Sequence, residues 1–289
     1  MLRPVQHIVT APQQKEGGGF VVRRPFPSQG LDHFDPLLML DEMGPVTYAP
    51  GEALGAPDHP HRGFETVSYI LEGDVAHADS AGHAGALGPG DVQWMTAGSG
   101  VVHREMPSLK VQRDGGRVHG FQLWVNLPRA LKGVGPRYQE MPAARIPEAT
   151  SPDGRAHVRV IAGEALGVSA VTATHTPILY QHWRLEAGAS IALPVPADHR
   201  VGVYVFDGEM EISGVPVHAG QFAVLGPGDT IQLAAALPAQ ALVLGGRPIG
   251  EPVAWGGPFV MNTREEVLQA FADFRAGKMG RIPPEIVRA

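Results

Sequence analysis

The sequence of 289 residues contains no cysteine. This absence excludes disulfide bonds, thiolate metal sites and iron–sulfur clusters. The sequence also has no apolar run of about 18 residues, so we expect no membrane-spanning helix. The N-terminal stretch MLRPVQHIVTAPQQKEGGG lacks the apolar centre of a secretory signal peptide. These absences predict a cytoplasmic protein.

Basic residues are neither abundant nor clustered. Lys and Arg number 23 against 29 Asp and Glu, which gives a net charge of −6. Without a basic patch we expect no direct contact with nucleic acid, although docking on a basic protein stays possible. The 37 glycines and 27 prolines, in a chain that is 44% hydrophobic, indicate many turns between short apolar segments. This composition is typical of a folded β protein.

Several short segments alternate between apolar and polar residues. The clearest are ETVSYILEG (65–73), VHGFQLWVNLP (118–128), VGVYVFDGEMEI (201–212) and QALVLGG (240–246). A period of two residues, bounded by Gly, Pro and Asp, predicts β-strands.

The segment near the C-terminus has a different period. Residues 262–280, NTREEVLQAFADFRAGKMG, predict a helix with Thr263 and Glu266 as a capping box. Val267, Phe271 and Phe274 form an apolar stripe, and Gly277 suits the C-terminal end. We expect this helix to pack on the β-sheets.

The chain contains an internal repeat. The pentapeptide LGPGD occurs at 87–91 and again at 225–229. Each copy follows a strand that ends in a similar turn, ILEGD at 70–74 and VFDGE at 205–209. A repeat with matched flanks indicates duplication. We therefore expect two β-domains, residues 1–138 and residues 139–289, the second ending in the helix.

Two pairs of potential metal ligands are spaced by two residues. HPHRGFE contains His59 and His61, and GVVHREMP contains His103 and Glu105. Residues i and i+2 of a strand point to the same face, so two such strands can surround one ion. Three imidazoles and a carboxylate suit Fe(II), Mn(II), Ni(II), Cu(II) or Zn(II), and an octahedral ion would keep two open positions. Two catalytic bases, or polar residues on a loop, are the alternatives for the histidines.

The repeat indicates that only the first domain holds metal. A shift by the pentapeptide spacing places Ala197, His199, Ala241 and Val243 at the four ligand positions. At most one ligand survives there. The second domain is therefore expected to be structural or to shape the pocket.

Four longer motifs resemble the pirin family. They are FDPLLMLDEMGP (34–45), HPHRGFETVSYILEG, GPGDVQWMTAGSGVVHREMP and GPFVMNTREE. The resemblance implies an all-β bicupin, two tandem cupin β-barrels of the jelly-roll type, with one metal ion in the first. It implies His59, His61, His103 and Glu105 as the ligands. Fe(II) is the expected ion, with Mn, Ni, Cu or Zn as alternatives.

Two functions are attached to this family. Some pirins resemble quercetin 2,3-dioxygenases, which open a flavonol with O₂; Glu105 would then also accept the proton of the flavonol 3-hydroxyl. Other pirins are non-enzymatic regulators that bind a transcription factor or a metabolic enzyme. A cupin isomerase or sugar-binding cupin is a third interpretation, less favoured because the ligand set is complete. Since two domains on one chain can already pair, we expect a monomer.

Residues near the ligands are weaker candidates for the site. Phe64 follows the first ligand pair and could line the mouth, and Gln93, Trp94 and Met95 precede His103 on the same segment. Each of these four fits a core or rim position better. Of the remaining histidines, His77, His83 and His182 are expected to be ordinary, and His119 is the least certain.

Overall fold

A computed structural model describes residues 1–284. The chain forms two compact units. The first unit contains Gln13–Arg23, Met39–Ala143 and the segment from Ile249 onwards, and the second contains Met1–Pro12, Arg24–Leu38 and Ala144–Pro248. Both are built mainly from β-strands, as the alternating segments predict, and the strands pair antiparallel.

Most elements of the described residues are short β-strands, and α-helices are few. The first half contains β1 (Val5–Thr10), β2 (Gln13–Glu16), β3 (Phe20–Phe26), β4 (Leu37–Tyr48), β5 (Ala56–His61), β6 (Phe64–Glu72), β7 (Val75–Asp79), β8 (Ala84–Leu87), β9 (Val92–Thr96), β10 (Val101–Pro107), α1 (Leu109–Asp114), β11 (Gly116–Asn126) and β12 (Arg137–Met141). The second half contains β13 (Glu148–Thr150), β14 (Ala156–Ala162), β15 (Glu164–Ala165), β16 (Val168–Ser169), β17 (Ile178–Leu185), β18 (Ala189–Pro194), β19 (Arg200–Asp207), β20 (Glu209–Ile212), β21 (Val215–His218), β22 (Gln221–Leu225), β23 (Thr230–Ala235), β24 (Ala239–Gly246), β25 (Ala254–Gly256), β26 (Phe259–Met261) and α2 (Arg264–Arg275). Short 3-10 turns lie at Arg129–Leu131 and Ala143–Arg145.

The two units repeat one strand order. Seven-stranded sheets run β12-β9-β6-β11-β4-β3-β2 and β1-β22-β19-β24-β17-β14-β13, and four-stranded sheets run β5-β10-β7-β8 and β18-β23-β20-β21. The second set matches the first strand for strand. This match confirms the expected all-β fold with two cupin domains and a C-terminal helix. In the second unit both sheets contribute to one apolar core, which includes Val158 and Trp183 from one sheet and Leu233 from the other.

The turns that follow β6 and β19 hold equivalent places in the two units. The two LGPGD segments do not hold equivalent places. Gly73 follows β6 and Gly208 follows β19, which hold the same place in the two sheets. The LGPGD of residues 87–91 precedes β9, whereas the LGPGD of residues 225–229 follows β22, the counterpart of β9. The duplication is real, while the identical pentapeptides lie at different turns.

The compact units interleave along the sequence. β1 forms the sheet edge next to β22, the place that β12 occupies next to β9. The N-terminal strand thus belongs to the unit built mainly from residues 144–248, and α2 belongs to the unit built mainly from residues 39–143. The expected division into two domains, residues 1–138 and residues 139–289, stays a prediction.

The expected turn at 205–209 divides one alternating segment, and one short helix was not expected. The segment 201–212 is two strands with Gly208 between them, where φ is +73° and a Cβ would lie 2.7 Å from the Pro238 oxygen. The short helix α1 is unpredicted; it begins after Ser108, whose Oγ accepts a hydrogen bond from Val111 N at 3.2 Å.

The C-terminal helix has the predicted cap. Thr263 Oγ1 accepts from Glu266 N at 3.2 Å, and Glu266 Oε2 accepts from Thr263 N at 2.9 Å. Val267 is buried, and the Phe271 ring meets the Phe259 ring edge-on at 4.9 Å between centroids. Within residues 1–284, no helix has the length and apolarity needed to cross a membrane.

Candidate metal centre

The pairing of β5 with β10 brings three histidines together. His103 lies directly opposite His59, and Val101 lies opposite His61. The His103 ring centroid is 4.4 Å from that of His59 and 4.9 Å from that of His61. Ligand-capable atoms of the three residues all lie within 4.8 Å of one another. The i, i+2 spacing therefore does place these imidazoles on one face.

Backbone carbonyls determine which ring nitrogens of His59 and His61 carry a lone pair. His59 Nδ1 lies 2.7 Å from the Pro57 oxygen, and His61 Nδ1 lies 3.3 Å from the Pro258 oxygen. A carbonyl can only accept, so each neutral ring carries its proton on Nδ1 and a lone pair on Nε2. These two Nε2 atoms face each other at 3.1 Å. Two opposed lone pairs at this distance suit a cation that lies beside them and binds both.

Two of the three imidazoles, His61 and His103, have lowered pKa values. Burial, with the imidazoles of His103 and His59, lowers the pKa of His61 well below its usual value, and the Pro258 carbonyl and Glu105 carboxylate only partly oppose this. Burial and His59 lower the pKa of His103 in the same way. Neutral imidazoles are the form that binds metals.

The third imidazole supports the same conclusion. Both ring nitrogens of His103 are buried and have no hydrogen-bond partner within residues 1–284. Metal–nitrogen bonds of about 2.1 Å at a right angle place two ligand nitrogens about 3.0 Å apart, close to the observed 3.1 Å. The residues therefore fit a divalent transition-metal ion held by His59, His61 and His103.

Glu105 lies beside this group and not within it. The register of β10 against β5 shifts between His103 and Glu105, so that Glu105 pairs with Ala56. Its Oε1 accepts from Ser68 Oγ at 2.6 Å, and its Oε2 accepts from Gln122 Nε2 at 2.6 Å. The role of Glu105 as a fourth ligand stays a prediction.

A cavity of about 80 Å³ opens beside Glu105, two residues after His103 on β10. Its polar lining includes Ser68, Glu105, His119 and Gln122, and the rest is mostly apolar. His119 Nε2 lies 2.9 Å from Oε1 of Glu42, a carboxylate that is itself fully buried. His119, the histidine that sequence alone left uncertain, is therefore a wall of this cavity.

Known proteins share both the sequence and this fold. Residues 19–125 match the Pirin family, and residues 180–280 match the Pirin C-terminal cupin domain. The chain belongs to the pirin family. Pirin of Mus musculus is 44% identical over 94% of this chain and 92% of its own length. A Pirin-like protein of Caulobacter vibrioides is 44% identical over 96% of this chain and 99% of its own length.

A solved structure extends the likeness of this pirin to an enzyme. Quercetin 2,3-dioxygenase from Acinetobacter baumannii is 36% identical, with a TM-score of 0.93, over 98% of this chain and 100% of that one. The resemblance that the sequence motifs predicted is thereby confirmed.

Aromatic rings fix the orientation of His61 in this pirin. Its ring centroid lies 5.0 Å from Phe64 and 5.0 Å from Trp124, and the latter two stack at 4.1 Å. Phe64 is fully buried, so it supports a ligand and does not line a mouth. Gln93, Trp94 and Met95 are buried in β9, as expected of core residues.

Residues distant in sequence also support the centre. Lys132 Nζ donates to the Gly63 oxygen at 2.7 Å, to Asn126 Oδ1 at 2.7 Å and to the Val260 oxygen at 3.0 Å. Burial lowers the pKa of Lys132 to about 8, so the ammonium with its three donors still dominates at pH 7. This lysine links the turn after His61 to β26. No sequence pattern predicts that link.

Replacing Lys132 with methionine should destabilise the protein. Three buried oxygens would lose their donor, and an unsatisfied buried acceptor costs about 1–3 kcal/mol. We expect the free energy of unfolding to fall by about 2 kcal/mol or more. Urea titration measures it, with Lys110→Met on exposed α1 as the control. Equal stability of both variants would show that the Lys132 bonds contribute nothing net.

Gly63 allows the chain to turn immediately after the first ligand pair. Its φ is +90°, and a Cβ there would lie 2.0 Å from the Val260 oxygen. Gly63→Ala should lower the free energy of unfolding by about 2 kcal/mol or more and weaken metal binding, because β26 must move. Gly82→Ala is the matched control, since Gly82 has φ +94° with no atom within 4 Å. Similar losses in both variants would mean that backbone strain, and not the contact with β26, sets the cost.

Proposed function

We propose that this chain is a metal-dependent dioxygenase of the pirin type, which opens a flavonol such as quercetin with O₂. The observation that carries the proposal is the pair of His59 and His61 lone pairs at 3.1 Å, with a cavity lined by Glu105, two residues after His103. The likeness to the quercetin 2,3-dioxygenase of Acinetobacter baumannii supports it. Because one fold hosts several functions, the side chains at the site must carry the argument.

The metal is proposed to be a single divalent ion, with Fe(II) as the first choice and Mn, Ni, Cu or Zn as alternatives. His59, His61 and His103 would hold it, and Glu105 is the proposed fourth ligand. When bound, the ion supplies Lewis acidity and open coordination positions for substrate oxygens and O₂.

Glu105 is proposed to accept the proton of the flavonol 3-hydroxyl. The Gln122 amide is oriented by Trp124 Nε1, which lies 3.5 Å from Gln122 Oε1, so its NH₂ group points to Glu105. Ser68 holds the other carboxylate oxygen. Two donors thus fix the carboxylate at the cavity wall, where a substrate hydroxyl can reach it.

The size of the cavity limits how a flavonol could enter. An apolar cavity of about 150 Å³ holds benzene, and the cavity beside Glu105 is about 80 Å³. A molecule with three rings therefore requires movement of the rim. Val21, Val46 and Leu54 line the cavity and are 47%, 36% and 43% exposed, so these side chains can move at little cost.

The same small cavity favours a second candidate function. A non-enzymatic regulator that binds iron and docks on a transcription factor or metabolic enzyme needs no room for a flavonol. Its partner would be another protein, since the net charge of −6 disfavours direct contact with DNA.

Loss of flavonol absorbance tests the proposal. Purified protein is loaded with Fe(II) and mixed with quercetin in air-saturated buffer. We expect turnover, abolished in His59→Ala and unchanged in His7→Ala, an exposed histidine on β1. Absence of turnover with each of the five metals and several flavonols would overturn the enzymatic proposal and favour the regulator.

A further inference from the structure

The second unit has a cleft beside β18, the strand that corresponds to β5 of the first unit. β18 pairs with β23 as β5 pairs with β10, and Leu193 lies opposite Ile231. Both of these residues are buried. The cleft beside Leu193 has a volume of about 1110 Å³, which is large enough for a molecule of drug size. Leu193, Pro194 and Val195 line the cleft from the end of β18 and the residue after it, so this wall is apolar.

One polar group faces this cleft with an unused acceptor. His199 lines it and is 7% exposed. Its Nδ1 lies 2.8 Å from Asp198 Oδ1, and Arg247 Nε donates to Asp198 Oδ2 at 2.7 Å. The ionised Asp198 accepts, so His199 carries its proton on Nδ1 and a lone pair on Nε2. Nε2 has no hydrogen-bond partner in the described chain, so it is available to a hydroxyl donor.

The other deep polar groups of the cleft are already satisfied. Trp183 Nε1 donates to Gln181 Oε1 at 2.9 Å, and Gln181 Nε2 donates to the Glu164 oxygen at 2.8 Å. At the rim, the Asp229 carboxylate pairs with the N-terminal ammonium of Met1. A ligand would therefore meet mainly apolar inner walls with the His199 acceptor, and the carboxylates of Glu164 and Asp229, both exposed residues of the lining, disfavour an anion.

A hairpin turn places an exposed leucine at the edge of the cleft. Leu166, at the tip of the β15–β16 hairpin, has φ +48° and lines the cleft with 36% of its surface exposed. A non-glycine residue in this left-handed region raises the free energy of the folded state by about 1 kcal/mol, and an exposed leucine contributes no burial to offset it. The two-residue turn of Leu166 and Gly167 requires positive φ at both residues and holds the leucine side chain at the edge of the cleft.

We infer that this cleft binds an uncharged, mainly apolar molecule with a hydroxyl donor, of the class of hydroxylated aromatic compounds. His199 Nε2 accepts the hydroxyl, Leu193 and Val195 contact the rings, and Leu166 closes over them. The site is separate from the metal centre and does not depend on the proposed dioxygenase activity.

Calorimetric titration with two matched probes tests the inference. 7-Hydroxyflavone has a hydroxyl but no 3-hydroxyl to chelate a metal, and flavone has none. We expect 7-hydroxyflavone to bind about five- to tenfold more tightly than flavone, the effect of one neutral hydrogen bond. His199→Phe should remove this preference, and His199→Gln, whose amide oxygen can accept, should restore part of it.

Leu166→Asn separates binding from folding. Asparagine tolerates positive φ, so this variant should unfold at a higher temperature than the parent while binding 7-hydroxyflavone several-fold more weakly. Metal content and any turnover of quercetin should be unchanged in both the His199 and Leu166 variants. Equal affinity for the two probes, or a preference that survives His199→Phe, would overturn the inference.

Discussion

Replacing Glu105 with glutamine is expected to lower turnover of quercetin by at least about 100-fold, the lower end of the contribution of a positioned general base. The amide keeps the size and the contacts of the carboxylate, because it can donate to Ser68 Oγ and accept from Gln122 Nε2. It cannot accept the substrate proton. Steady-state kinetics of the Fe(II)-loaded variant measures the effect, which should fall on kcat more than on KM.

Metal content distinguishes the two roles of Glu105. A variant that keeps a full equivalent of metal but loses turnover assigns Glu105 as a base, and loss of metal assigns it as a ligand as well. Glu52→Gln, at an exposed position, is the control. Retained metal together with undiminished turnover would remove Glu105 from the mechanism.

Replacing His103 with alanine is expected to weaken metal binding by at least about 100-fold, since even partners of metal ligands contribute 10- to 100-fold. His103 provides the ligand from β10, whereas His59 and His61 both come from β5. Its loss leaves two imidazoles from one strand. Competition with a coloured chelator measures the affinity.

The same substitution should remove the effect of metal on stability. A metal present at 100 times its dissociation constant stabilises the native state by about 2.7 kcal/mol, which raises Tm by roughly 5–10 °C for a domain of 150–250 residues. This increase should be absent in His103→Ala and present in His7→Ala. A normal increase in His103→Ala would show that the metal binds elsewhere.

Local patterns were sufficient to predict the parts of the fold that depend on neighbouring residues. The spacing of two placed His59 and His61 correctly on one face, because alternation is a property of any extended strand. The capping box at Thr263 and Glu266 is likewise decided within one turn of helix. The duplication was also recognisable, since Gly73 and Gly208 end equivalent strands.

Contacts between distant segments could not be predicted. The Pro258 oxygen contacts His61, which lies 197 residues earlier in the sequence. Lys132 donates a hydrogen bond to Gly63, which lies 69 residues earlier and directly follows the segment with the first two histidines. β1 pairs with β22 at an edge of the second unit's sheet. This pairing depends on which sheet edge is free, and the pattern of apolar and polar residues in β1 does not predict it. Identical turn sequences can also mislead. LGPGD suits many turns, so its occurrence at 87–91 and at 225–229 does not show that these residues hold equivalent places in the two units.

Diffraction at the absorption edge of a bound metal tests the central claim most directly. Crystals of the protein loaded with one equivalent of Fe(II) or Mn(II) should show a single anomalous peak about 2.0–2.2 Å from Nε2 of His59, Nε2 of His61 and one ring nitrogen of His103. A peak elsewhere, or three imidazoles that stay together with no peak between them, would contradict the account.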